Sequence, residues 1–164
     1  MGGCTQGEGG LRVRLASFGQ TRSDPLASAV EDYAARLSHY VQFELVELPA
    51  HQAGRDRARV GKSAEAAALF RKLRPRDWLV TLDENGKQLS SRELSVFIGK
   101  AQTHSRDLLF AIGGDEGLSE EALNQSHLTL SLSRMTLPHR LARLVLIEQL
   151  YRAFTIQRGQ PYHK

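Results

Sequence analysis

The chain has 164 residues, a net charge of +4 and 41% hydrophobic residues. One domain of that size buries a core without disulfide or metal staples. Cys4 is the only cysteine, which excludes an intrachain disulfide and a cysteine-built metal site and leads us to expect a reducing, cytoplasmic setting. No apolar run has membrane-spanning length or the form of a signal peptide, so no membrane association is expected.

Residues 1–10 are glycine-rich and polar and read as a disordered N-terminal extension, leaving 11–164 as a single domain. Charge is unevenly spread. Residues 51–76 carry eight Lys and Arg against two acids, and residues 134–164 carry six against one. Two basic segments on an otherwise acidic chain point to a polyanionic partner.

Residues 11–18 alternate apolar side chains with Arg12 and Arg14, the pattern of a strand with one wetter face. Asp24-Pro25 predicts a helix start, with Asp24 as cap, running to about Tyr40 with Leu26, Val30, Tyr33 and Leu37 on one stripe. Residues 43–48 form a second strand. The arginine-rich stretch 51–61 reads as mobile, and Ser63 opens an alanine-rich helix to about Arg74. A third strand at 78–82 is too apolar for an exposed edge and ends in a turn at Asp83-Glu84-Asn85-Gly86. Ser90 and Glu93 form a capping box for a helix to about Thr103.

Residues 108–112 make a fourth, wholly apolar strand that runs into Gly113-Gly114-Asp115-Glu116-Gly117. Glycines just past a strand let the backbone approach a ligand closely. A short helix starts at Ser119, and a fifth strand spans 127–132. Pro138 sits at the first turn of a long last helix whose apolar residues cover most of its circumference, more than one core-facing stripe needs. That surplus suggests a second copy packed on the helix. The alternation of strands and helices gives an α/β class with a mostly parallel sheet flanked by helices.

Five motifs occur in order: Thr81-Leu82-Asp83 with Gly86-Lys87, Ile112-Gly113-Gly114 with Glu116-Gly117, Thr136-Leu137-Pro138-His139, Leu150-Tyr151-Arg152-Ala153, and Pro161-Tyr162-His163. In this order and spacing the chain resembles the RlmH (YbeA) family of SPOUT-class ribosomal RNA large-subunit methyltransferases. The resemblance covers residues 11–164. It implies a SPOUT-type fold with a C-terminal trefoil knot, and a homodimer with active sites at its interface. It also implies methyl transfer from S-adenosyl-L-methionine to N3 of a pseudouridine in a stem-loop of large-subunit ribosomal RNA, with the ribosome or that RNA as partner.

By motif, the resemblance assigns cofactor binding to Leu82, Gly113, Gly114, Leu132, Ser133, Arg134, Met135, Thr136 and Leu137. It turns Tyr162 and His163 of the tail toward the substrate. The chain departs from the family at Asp115, where proline is frequent, and at Lys164, where arginine is usual and offers a planar fork for phosphate. The N-terminal extension has no family counterpart.

Methyl transfer of this kind needs positioning and removal of the N3 proton, and neither a metal nor a covalent enzyme intermediate. His163 and Tyr162 are therefore the catalytic candidates, because an imidazole titrates near neutrality and an aromatic ring offers a face to a base. Arg140, Arg143, Arg152 and Lys164 are candidate RNA contacts, although Arg152 stands four residues after Glu148 and is spaced to pair with it. His139 reads as a helix-start residue. His39, His51, His104 and His127 lack metal-ligand spacing and read as surface. The competing functions are methylation of another RNA nucleotide, cofactor-free RNA binding, and nicotinamide-dependent redox chemistry. The last is disfavoured because no Gly-x-Gly-x-x-Gly follows the first strand.

Overall fold

The computed structural model describes residues 10–19, 24–50, 58–114 and 116–164. The reading of residues 1–9 as an extension, and those of His51 and Asp115, lie outside the described residues.

Five strands form one sheet in the order β2-β1-β4-β3-β5, with every neighbouring pair parallel. They are β1 (Arg12–Phe18), β2 (Gln42–Leu48), β3 (Asp77–Gln88), β4 (Asp107–Ile112) and β5 (Leu128–Ser131). The helices between them are α1 (Ala27–Ser38), α2 (Ala58–Phe70), α3 (Ser91–Thr103), α4 (Glu120–Asn124) and α5 (His139–Gln157). Successive side chains of a strand point to opposite faces, and the two faces have separate cores. Val13, Leu15, Leu108, Phe110 and Ile112 pack with α1, α3 and α5. Ala16, Phe18, Leu109 and Ala111 pack with α2 and α4.

Local signals placed most elements. Ser90 accepts from the Glu93 amide at 3.2 Å while the Glu93 carboxylate accepts from the Ser90 amide at 2.7 Å, so the capping box of α3 is complete. Ser119 caps α4 through the Ala122 amide at 3.1 Å. Asp24 caps the turn before α1, accepting from the Leu26 amide at 2.9 Å, and the helix proper starts at Ala27.

Three expectations are corrected. β1 has no wet face at Arg14, which is 2% exposed because β1 lies inside the sheet. Its guanidinium pairs with Asp77 and donates to the Lys72 carbonyl at 2.9 Å. Helix α2 begins at Ala58, within the stretch read as mobile, and ends at Phe70. The turn at 83–86 does not end β3: Leu82 and Lys87 both face Leu130, so four residues bulge out and the strand resumes beside β5. On α5, the chain's own α1, α3 and sheet cover Leu146, Ile147, Leu150 and Phe154, whereas Leu141 stays 38% exposed and Leu144 and Val145 are only partly buried.

Candidate functional site

Ligands of parallel α/β sheets bind beyond the carboxyl ends of the strands, and a cleft of about 880 Å³ lies there. Leu82 and the bulge residues Asp83 and Glu84 form one wall, and Ile112, Gly113, Gly114 and Glu116 form the next. Leu132, Ser133, Met135, Thr136 and Leu137 close the third side, and Pro138, His139 and Arg140 bring the N-terminus of α5 to it. The volume suits a small-molecule ligand. The first amides of a helix lack internal acceptors and carry the positive end of its dipole, so the α5 end of the cleft favours an anionic group.

Each wall has a local cause. A Cβ on Gly113 would lie 2.5 Å from the Gly117 carbonyl carbon and 2.7 Å from the Leu118 nitrogen. The reason for glycine at 113 is therefore the chain's own return, and not only the approach of a ligand. Gly117, with φ of 71°, completes that return through its amide, which donates to the Gly114 carbonyl at 3.0 Å. A Cβ on Gly114 would meet nothing nearer than Glu65 Oε1 at 3.7 Å. In the third wall the Ser131 hydroxyl donates to the Ser133 carbonyl and the Met135 amide donates to the Ser133 hydroxyl, each at 2.9 Å. Met135 is 76% exposed, an apolar side chain at the cleft's lip.

Of the nine residues assigned to the cofactor, eight line this cleft; Arg134 is exposed and is not among its walls. Thr136 uses its hydroxyl to donate to Glu84 Oε2 at 2.7 Å. Sequence reasoning passed over Asp83, Glu84, Glu116 and Arg140 as cleft residues. Their signal was adjacency: the acids flank the motif residues Leu82 and Gly117, and Arg140 opens the helix after Pro138.

The tail sits elsewhere. Tyr162 donates its hydroxyl to Glu148 Oε1 at 3.0 Å and lies 3.2 Å from the Tyr33 hydroxyl. Its ring packs edge-on against Tyr151, with centroids 4.8 Å apart, and under the Arg152 guanidinium at 4.7 Å. Burial, then the hydrogen bonds to Tyr33 and Glu148, push its hydroxyl above the ordinary tyrosine value, so it stays protonated. Tyr162 is therefore a docking residue here, with its ring engaged by Tyr151 and Arg152. His163 is half-buried and its Nδ1 is buried without a hydrogen-bond partner.

The candidate RNA contacts separate in the same way. Arg140 and Lys164 are exposed. Arg143 is 5% exposed and paired with Asp24, so it presents no guanidinium to a phosphate. Arg152 donates through Nε and Nη2 to Glu148 Oε1, at 3.1 and 2.5 Å, which raises its pKa further. His39, His104 and His127 are exposed, the last stacked on Trp78 at 3.9 Å. Among the described residues no group of three His, Cys, Asp or Glu is placed to hold a metal, and no helix is long and apolar enough to cross a membrane.

The chain is 49% identical over 156 residues to the ribosomal RNA large subunit methyltransferase H of Anaeromyxobacter sp. (strain Fw109-5), covering 94% of this chain and all of that protein. It is 38% identical over 159 residues to the protein of the same name from Bacillus thuringiensis (strain Al Hakam), with the same coverage. Among solved structures, a probable methylase family protein from Haemophilus influenzae Rd KW20 superposes with a TM-score of 0.53 at 15% identity, over 94% of this chain and 70% of that one. That likeness concerns the fold alone. The family described as predicted SPOUT methyltransferase matches residues 11–163, and with relatives this similar over their whole length, the chain belongs to the SPOUT methyltransferases.

Proposed function

We propose that residues 11–164 act as one domain that transfers the methyl group of S-adenosyl-L-methionine to N3 of a pseudouridine in large-subunit ribosomal RNA, in the cytoplasm and as a homodimer. The observation that carries this reading is the convergence of Leu82, Gly113 and the 132–137 loop on one cleft at the strand ends. Relatives named for large-subunit ribosomal RNA methylation support the substrate class. The family's trefoil knot, formed where α5 follows the cleft loop, belongs to the same reading.

The cleft residues suit the cofactor. Leu82, Ile112, Leu130 and Leu132 offer apolar walls to an adenine ring. The α5 N-terminus faces where a carboxylate is favoured, and Asp83, Glu84 and Glu116 bring negative charge to a ligand bearing cations. When bound, S-adenosylmethionine supplies a methyl group already activated by its sulfonium. The cleft residues hold that ligand and fix its direction, which makes positioning the larger part of the acceleration. His163 would take the N3 proton as the methyl passes from sulfur to nitrogen and S-adenosylhomocysteine leaves. Arg140 and Lys164 neutralise RNA phosphates.

Reach supports the homodimer in this reading. Ala142 is the last α5 residue on the cleft, and Arg158 at the helix end lies roughly 24 Å further along the axis. Five extended residues from there to His163 span at most about 18 Å. Even fully extended, the tail backbone of the same chain stops about 6 Å short of Ala142, and it is docked on Glu148 instead, so in this reading a second copy supplies the tail.

The test is to incubate the purified protein with S-adenosylmethionine and ribosomes from a strain lacking the gene, then map the RNA by mass spectrometry. One added methyl on a pseudouridine of the large-subunit RNA supports the proposal. Absence of any methyl, or one on another nucleotide type, contradicts it.

A further inference from the structure

We infer that Glu84 is a specificity-determining residue of the cleft, which clasps the cofactor loop through Thr136 and favours the cationic S-adenosylmethionine over its neutral thioether product, S-adenosylhomocysteine. The inference rests on the cofactor reading above and adds a residue that no family motif contains.

The clasp has a structural origin. Residues 83–86 leave the β3–β5 ladder because Leu82 and Lys87 share the partner Leu130. The bulge can close only with glycine at its end, since a Cβ on Gly86 would lie 2.7 Å from the Thr129 carbonyl oxygen. Asp83 turns the tip by accepting from the Asn85 amide at 2.9 Å. Glu84 is thereby carried to the cleft, where Thr136 donates to its Oε2 at 2.7 Å. These two residues lie 52 positions apart in sequence, so the bond ties the first wall to the third. The other side-chain bonds of that loop, from Ser131 and to Ser133, are local.

Charge adds selectivity. Asp83, Glu84 and Glu116 line the cleft against one guanidinium, Arg140, and walls of one sign concentrate their field inside a concave site. The cofactor and its product differ by one methyl and one formal positive charge on sulfur. Removing the charge at 84 therefore acts more on the sulfonium ligand than on the thioether, whereas removing the clasp acts on both alike.

Two substitutions separate these roles by isothermal calorimetry with both ligands. Glu84→Gln keeps an acceptor for Thr136 and loses the charge. It should weaken S-adenosylmethionine about threefold, the scale of one charge several ångströms away in a wet cleft, and weaken S-adenosylhomocysteine clearly less. Thr136→Val keeps the charge and loses the clasp, so both ligands should weaken by the same factor, about threefold to tenfold. Thermal midpoints within a degree or so of wild type confirm that the fold is intact, because both side chains are exposed. Equal losses for both ligands in Glu84→Gln, or no loss for either, would overturn the specificity role. Unchanged binding in Thr136→Val would overturn the clasp. Wild-type protein that binds neither ligand would overturn the cofactor reading, and this inference with it.

Discussion

The cleft is assembled from three strand ends and one helix N-terminus of a single chain, whereas the tail docks on α1 and the middle of α5. In the cleft, a close backbone approach and short local bonds do most of the work: Gly113 admits the returning chain, and the hydroxyls of Ser131 and Ser133 turn the loop. In the tail, side chains do it, through one carboxylate shared by Tyr162 and Arg152. The difference teaches that a motif can lie apart from the cleft that the other motifs build. The cleft walls come from one copy, and under the proposed dimer the tail would join a site when another copy presents it.

The comparison can be broken first at the scaffold. Arg143 is one residue from the cleft-lining Ala142, and its buried pairing with Asp24 ties α5 to the start of α1. Removing one partner leaves a buried charge uncompensated, so Arg143→Ala should cost about 3–5 kcal/mol in urea unfolding. An effect under 1 kcal/mol would return Arg143 to the surface role its charge suggested.

Removing residues 162–164 tests the tail. Methyl transfer to ribosomes should fall by roughly a hundredfold or more, the scale of a lost acid–base group, while S-adenosylmethionine affinity stays within a few-fold. Wild-type turnover by the truncated protein would make the tail a bystander.

Gly113 and Gly114 sharpen the cleft side, because they are neighbours with opposite surroundings. Gly113→Ala forces the Gly117–Leu118 backbone to move, at about 1–3 kcal/mol of stability, and should weaken the cofactor. Gly114→Ala has room, with its nearest neighbour 3.7 Å away, and should be nearly silent in both measurements. Equal effects of the two would contradict the geometry assigned to the loop.

The smallest effect concerns Tyr162. Its hydroxyl pKa is raised in the folded chain, chiefly by burial, so the folded state favours the protonated form. That contribution is whole below the ordinary tyrosine value near 10, and it is lost as pH rises through the folded value. Tyr162→Phe should flatten the alkaline fall in stability by a fraction of a kcal/mol. An unchanged alkaline limb would place the hydroxyl in water.

Much of this was legible beforehand. Ser90 and Glu93 announced α3, the apolar run at 108–112 announced a central strand, and eight of the nine residues assigned to the cofactor line the cleft. What failed was charge read as exposure. Arg14 and Arg143 looked solvated because their partners, Asp77 and Asp24, lie 63 and 119 residues away, and no local pattern reports so distant an acid. The 83–86 bulge was read as a turn for a similar reason: only the β5 backbone against Gly86 shows that the strand goes on.

The most direct test of the central claim, that one copy's cleft works with another copy's tail, is complementation in a mixed population. Gly113→Ala protein and protein lacking residues 162–164 would be co-refolded in equal amounts and assayed for ribosomal methyl transfer. Random pairing makes half the dimers mixed, each with one whole site, so with S-adenosylmethionine kept below the dissociation constant left to Gly113→Ala the account predicts about a quarter of wild-type activity from two impaired parents. Activity no greater than the sum of the two parents would contradict it.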